Sequence, residues 1–259
     1  MKTTTAAAAA LLATLALAGA ARADEWDVGN DTDGAPTTDN VPSHRAEQVH
    51  DLAAQAGVAD QDWFLLPAHP LASYELLVDG MTGDLQLSGA DVSRLTDDGT
   101  TVADVAVSLE GGGVLSLRWT GLESEDVVKH WVRVQGAACG TACGQSDRYR
   151  VRFYDTTYTI PRFNNSGTQS TVLLIQNATD RACGVTVFLM DGGGGVVSAF
   201  TMTASPHRVL VAPTASSAPN ASGSVRVTHG CGYGGLSGKA VSIEPATGFT
   251  FDTPLQPRP

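Results

Sequence analysis

Between residues 73 and 79 apolar and polar side chains alternate. Tyr74, Leu76 and Val78 fall on one side of an extended chain, Glu75 and Asp79 on the other. The same period of two recurs over residues 114–119. It recurs again over residues 148–153, where Tyr149, Val151 and Phe153 oppose Arg148, Arg150 and Arg152. A period of two predicts strands of a sheet with one buried and one wet face. The clusters Asp97-Asp98-Gly99 and Gly111-Gly112-Gly113 between these runs predict turns. Residues 44–56 lack an apolar helical face and predict a short strand near His50-Asp51-Leu52.

The pattern restarts near residue 158. Pro161 is expected to end one run, and Phe163-Asn164-Asn165-Ser166-Gly167 reads as a turn, which places a domain boundary and short linker near residue 160. Further strands are predicted at 171–176, 185–190, 196–202, 208–211, 224–228 and 240–243, separated by Gly, Asn, Asp and Pro. This spacing predicts an all-β protein of two tandem β-sandwich domains, over 44–158 and 161–254, with no internal repeat between the halves. Trp63 or Phe64, Trp119 and Trp131 are expected in the cores.

The start of the chain sets an expectation of compartment. Lys2, a small-residue apolar run over 6–20 and the motif Ala21-Arg22-Ala23 have the layout of a secretory signal peptide, residues 1–23. The apolar run is shorter than the roughly 20 residues a spanning helix needs. Residues 24–43, acidic and rich in Gly, Pro and Thr, are expected to form a flexible arm. The formal charge of −11 argues against nucleic acid or an anionic membrane surface as partner. Four cysteines in an exported chain imply disulfides, and of three possible pairings 139–143 and 183–231 are expected. A zinc site fits poorly, because Cys139 and Cys143 are spaced C-x3-C while Cys183 and Cys231 lie far off.

Candidate chemistry is sparse. Asp60 and Asp62, with Asp51 or Asp84, would make an oxygen-rich calcium site. The alternative, which the residues favour, is that the acids satisfy backbone amides at a strand entrance. Arg118, Arg133, Arg150 and Arg152 are read as lining one sheet face, where they would pair with local acids or bind carboxylates and sulfates through Arg133, Arg150 and Arg152. The six histidines are scattered, there is no G-x-S-x-G elbow, and the glycine spacing over 232–240 does not make a phosphate loop. No catalytic residue is assigned.

The segments Ala59-Asp60-Gln61-Asp62-Trp63-Phe64 and Ser73-Tyr74-Glu75-Leu76-Leu77-Val78 carry a resemblance. It continues through Leu115-Ser116-Leu117-Arg118-Trp119, Trp131-Val132-Arg133-Val134 and Tyr149-Arg150-Val151-Arg152-Phe153-Tyr154. Together they resemble the bacterial pre-peptidase C-terminal domain family. That resemblance implies a secreted, jelly-roll-like sandwich that in some members binds calcium and in some collagenases binds the polymeric substrate. The second half, through Phe163-Asn164-Asn165-Ser166, Leu173-Leu174-Ile175-Gln176-Asn177 and 233–249, is similar to an uncharacterised Ig-like sandwich of secreted bacterial proteins. The expected function is a secreted, non-catalytic binding, adhesion or scaffold module for an extracellular polysaccharide or protein. The alternatives are a calcium-binding structural domain and a secreted hydrolase. No cofactor other than calcium is expected, and the sequence does not fix the oligomeric state.

Overall fold

A computed structural model describes Trp26 and residues 40–258, other than 56, 97 and 122–127. The expected signal peptide and most of the acidic segment lie outside the described residues. The chain is almost entirely β. Its only helical elements are two single 3₁₀ turns, Gly89–Asp91 and Gly140–Ala142, among the described residues. Four antiparallel sheets form two β-sandwiches.

The first sandwich is built from β1 (Glu47–Asp51), β2 (Gln61–Ala68), β3 (Ala72–Asp79), β4 (Val92–Leu95), β5 (Val102–Val105), β6 (Val107–Ser108), β7 (Val114–Gly121), β8 (Val128–Gln135) and β9 (Arg148–Asp155). One sheet has the order β1-β9-β3-β7-β6, the other β2-β8-β4-β5. The alternation sets the layers. Tyr74, Leu76 and Val78 of β3, Leu115, Leu117 and Trp119 of β7, and Tyr149, Val151 and Phe153 of β9 face Phe64 and Leu66 of β2 and Val132 and Val134 of β8. Each such fully buried large side chain contributes about 1.5–3 kcal/mol of transfer free energy.

The second sandwich contains β10 (Tyr158–Asn164), β11 (Ser170–Asn177), β12 (Cys183–Met190), β13 (Val196–Ala204), β14 (Val209–Pro213), β15 (Ser222–His229), β16 (Leu236–Glu244), β17 (Phe249–Pro254) and β18 (Gln256–Pro257). Its sheets run β13-β12-β15-β10-β18 and β14-β11-β16-β17. They enclose Ile160, Phe163, Leu173, Ile175, Val187, Leu189, Val225 and Val227.

Several expectations need correcting. Pro161 does not end a run: β10 passes through it, and the register with β15 shifts between Ile160 and Phe163. A bulge tolerates the missing N–H that a regular ladder would not. The connection between sandwiches is therefore Thr156-Thr157, and the second one extends beyond residue 254 to β18, which pairs with β10. The end of the expected arm is anchored. The Asn40 carbonyl accepts the Leu65 N–H at 2.8 Å, and its side chain accepts from Gln48 Nε2 at 3.0 Å. Trp26 stacks on His50 with ring centroids 5.6 Å apart. Trp131 faces outward and is half-buried rather than core, because it alternates with the inward Val132.

The cysteines pair as expected, Cys139 with Cys143 and Cys183 with Cys231, with Cα separations of 5.2 and 5.1 Å. Among the described residues no helix is long and apolar enough to cross a membrane.

Buried polar groups fix the loops. Asn177 has 0% exposure, donates through Nδ2 to the carbonyls of Arg181 (2.7 Å) and Ala204 (3.0 Å), and accepts at Oδ1 from Thr179 N (2.8 Å) and Oγ1 (2.7 Å). Asn177→Ala strands these groups in a dry site and is expected to cost about 3 kcal/mol, read as a lower denaturant midpoint in equilibrium unfolding. An unchanged midpoint would contradict this assignment.

Candidate binding cleft between the sandwiches

Glu75 lies on the outer side of β3, where alternation predicts a wet position, yet it is only 3% exposed. The second sandwich covers it. Ser116 Oγ and Arg118 Nε, on neighbouring β7, donate to Glu75 Oε1 at 2.6 and 2.7 Å. The backbone N–H of Tyr233 donates to Oε2 at 2.6 Å. One carboxylate thus ties two strands of the first sandwich to a loop of the second. Arg118 also donates from Nη1 to the Gly230 carbonyl at 3.2 Å.

The loop after β15 is shaped for this contact. Cys231 is anchored to Cys183. Gly232 has φ +84°, and a Cβ there would stand 2.7 Å from Arg118 Nη2 and 3.1 Å from Glu75 Oε1. Only glycine meets both the left-handed backbone and the close approach. Tyr233 then stacks on Tyr154 at 4.3 Å, and the Arg45 guanidinium lies 5.3 Å from its ring centre.

Further polar contacts extend the junction. The His229 N–H donates to Ser73 Oγ at 3.2 Å, Arg226 Nη1 to the Pro70 carbonyl at 3.0 Å, and Arg258 Nε to Asp155 Oδ2 at 2.8 Å. His229 is 3% exposed, and its Nδ1 accepts the Cys231 N–H at 3.1 Å. Burial lowers its pKa to about 4, outweighing the raising influence of the Thr156 carbonyl and the Glu75 carboxylate.

Beside this clamp a cleft of about 360 Å³ opens between the sandwiches, lined by Arg94, Asp104, Arg118, Trp119, Thr120, His229 and Gly230. Arg94 and Asp104 sit opposite one another on β4 and β5. Arg94 Nε and Nη2 both contact Asp104 Oδ2, at 2.7 and 2.6 Å. Trp119 is 5% exposed, and its Nε1–H is buried with no hydrogen-bond partner among the described residues. A buried orphan donor is uncommon and calls for an explanation. The cleft offers guanidinium donors, a carboxylate acceptor and the Thr120 hydroxyl, a set suited to a ligand rich in hydroxyl groups.

Of the residues singled out in the sequence, Arg118 lines the cleft, while the acids and the other arginines lie elsewhere. Asp62 points into the first sandwich, where Tyr149 Oη donates to its Oδ2 at 2.6 Å and His50 Nδ1 lies 3.4 Å from Oδ1. Asp51 Oδ1 accepts the Ala53 N–H at 3.1 Å, and Asp60 Oδ1 the Gln61 N–H at 2.9 Å. Among the described residues no three or more His, Cys, Asp or Glu side chains group in a way that could hold a metal ion.

The arginines do not share one face. Arg150 and Arg152 lie on the outer side of β9, and both engage the buried Asp79. Arg118 is on the same sheet, but Arg133 is on β8 of the opposite sheet, 5.7 Å from the Trp63 ring centre. Identical alternation in β8 and β9 does not reveal that the strands belong to different layers. Sequence reasoning also missed Arg94 and Asp104. Their opposite charges, ten residues apart across a turn, were the available signal.

Comparison with protein-family models finds no matching family, and comparison with curated proteins finds no significant match.

Proposed function

We propose that the chain is a secreted, non-catalytic module that binds an extracellular polysaccharide in the cleft between its sandwiches. The observation that supports this reading is a cleft between the sandwiches lined by the Arg94–Asp104 pair, Arg118, Thr120 and the edge of Trp119. A cleft near 360 Å³ suits one or two sugar rings of a chain that continues into solvent. Secretion is supported by the layout of residues 1–23 and by two disulfides, which belong to oxidising compartments. The resemblance of the first half to pre-peptidase C-terminal domains, some of which bind polymers, points the same way.

The test is affinity electrophoresis of the protein through a panel of neutral and acidic polysaccharides. Asp104→Ala removes the cleft's carboxylate at a partly exposed position. It is expected to weaken retardation at least tenfold, because a hydrogen bond to a charged group contributes about 1.5–3 kcal/mol. The melting temperature should change little. Retardation by none of the polysaccharides, or equal retardation of the variant, would overturn the proposal.

A further inference from the structure

A second cavity, of about 440 Å³, opens on the second sandwich between β10, β15 and the turn that follows β12. It shares no lining residue with the cleft. The bulge in β10 shapes it. Ile160 and Phe163 are both fully buried, although positions three apart fall on opposite sides of a regular strand. Their partners on β15 are Val225 and Gly223, so Ser224 alone stands opposite Pro161 and Arg162. Two residues against one is a bulge, and it turns Arg162 out of the core and into this cavity. Gly223 lets the turn come close, because a Cβ there would collide with the Met190 carbonyl. Asp191 follows Met190 and lines the opposite side.

The charges in this cavity are not committed to each other. Arg94, Arg118, Arg150, Arg152 and Arg258 are each paired with a carboxylate. Arg162 forms no ion pair among the described residues. Its guanidinium lies 5.5 Å from the Phe251 ring centre, a contact that holds the side chain without neutralising it. Asp191 uses Oδ1 within its own turn, accepting the Gly193 and Gly195 N–H groups at 2.9 Å each, and keeps Oδ2 for a further donor. We propose that this cavity binds an acidic sugar, a hexuronate residue. The Arg162 fork donates two N–H groups to the sugar carboxylate. Ring hydroxyls donate to Asp191 Oδ2 and exchange hydrogen bonds with Ser222 and Ser224, which line the same cavity. A bare anion meets the like charge of Asp191, and a neutral sugar leaves Arg162 without a carboxylate. The set therefore selects a ligand that carries both an acid and hydroxyl groups. A volume near 440 Å³ lies within the range of small-molecule sites. The site does not depend on what the cleft between the sandwiches binds.

Nitrogen–proton correlation spectra of the full chain, titrated with sodium glucuronate, test the site, with glucose and sodium acetate as comparison probes. Glucuronate should shift the amide signals of Arg162, Gly192 and Gly223 saturably at millimolar concentration. Glucose and acetate should each bind at least tenfold more weakly. Arg162→Gln, at an exposed position, should weaken glucuronate binding at least tenfold while signals away from the cavity keep their wild-type places. Absence of a saturable shift, shifts confined to other parts of the chain, acetate or glucose binding as well as glucuronate, or equal affinity in Arg162→Gln would each overturn the assignment.

Discussion

Replacing Glu75 by alanine is expected to uncouple the two sandwiches. The carboxylate accepts from Ser116, Arg118 and Tyr233 while almost wholly buried. Its loss leaves a buried hydroxyl, a buried backbone N–H and a guanidinium without their acceptor. Removing one partner of a buried ion pair costs about 3–5 kcal/mol. Arg118 retains 29% side-chain exposure and can regain some water, so about 3 kcal/mol is expected here. The loss falls on the junction rather than on either core. Calorimetry is therefore expected to show two transitions in the variant where the wild type shows one, with protease cleavage appearing at Thr156-Thr157. Glu75→Gln keeps a carbonyl acceptor and should retain one transition at a lower temperature. A Glu75→Ala protein that melts once, at the wild-type temperature, would show that the carboxylate does not join the halves.

Stability is expected to fall on acidification through the range that His229 controls. Its pKa is lowered from 6.5 to about 4 in the folded chain. Between those values the unfolded chain binds a proton at this position and the folded chain does not, so folding becomes less favourable as pH falls. The contribution is fully present above pH 6.5 and is lost progressively down to about pH 4, amounting to about 3 kcal/mol. Asp155, Glu75, Arg118 and Arg258 lie at the same junction; Glu75 favours the protonated ring and Arg118 opposes it. Denaturant midpoints measured from pH 7.5 to 4.5 should show this slope, and His229→Asn, which can still accept the Cys231 N–H, should flatten it. An equal slope in both proteins would assign the acid sensitivity elsewhere.

The strands, though not the sheet each belongs to, were legible because a sheet with one buried face imprints a period of two on the chain, as in Arg148 to Phe153. The disulfides were legible from four cysteines and their spacing. What escaped depends on contacts distant in sequence. Pro161 reads as a break, but a bulge absorbs it in β10. Glu75 reads as a solvent-facing residue because nothing in its own strand announces that Tyr233, 158 residues later, will cover it. The cleft has the same character. Arg94 and Asp104 come from one hairpin, Trp119 from the facing sheet and His229 from the other sandwich, and only their packing brings them to one place. The acids that looked like metal ligands, Asp51, Asp60 and Asp62, are engaged with backbone amides, Tyr149 and His50. This is the use that short-range turn and strand-entrance chemistry favours.

The most direct measurement is a nitrogen-labelled tryptophan spectrum. The chain has four tryptophans, so four indole N–H signals are expected, and the one missing from Trp119→Phe belongs to the cleft. Titration with a polysaccharide that retards the protein should shift that signal selectively, because Trp119 lines the cleft, and should leave the Trp63 signal in place. If the polysaccharide binds while the Trp119 signal stays unmoved, the cleft is not the binding site.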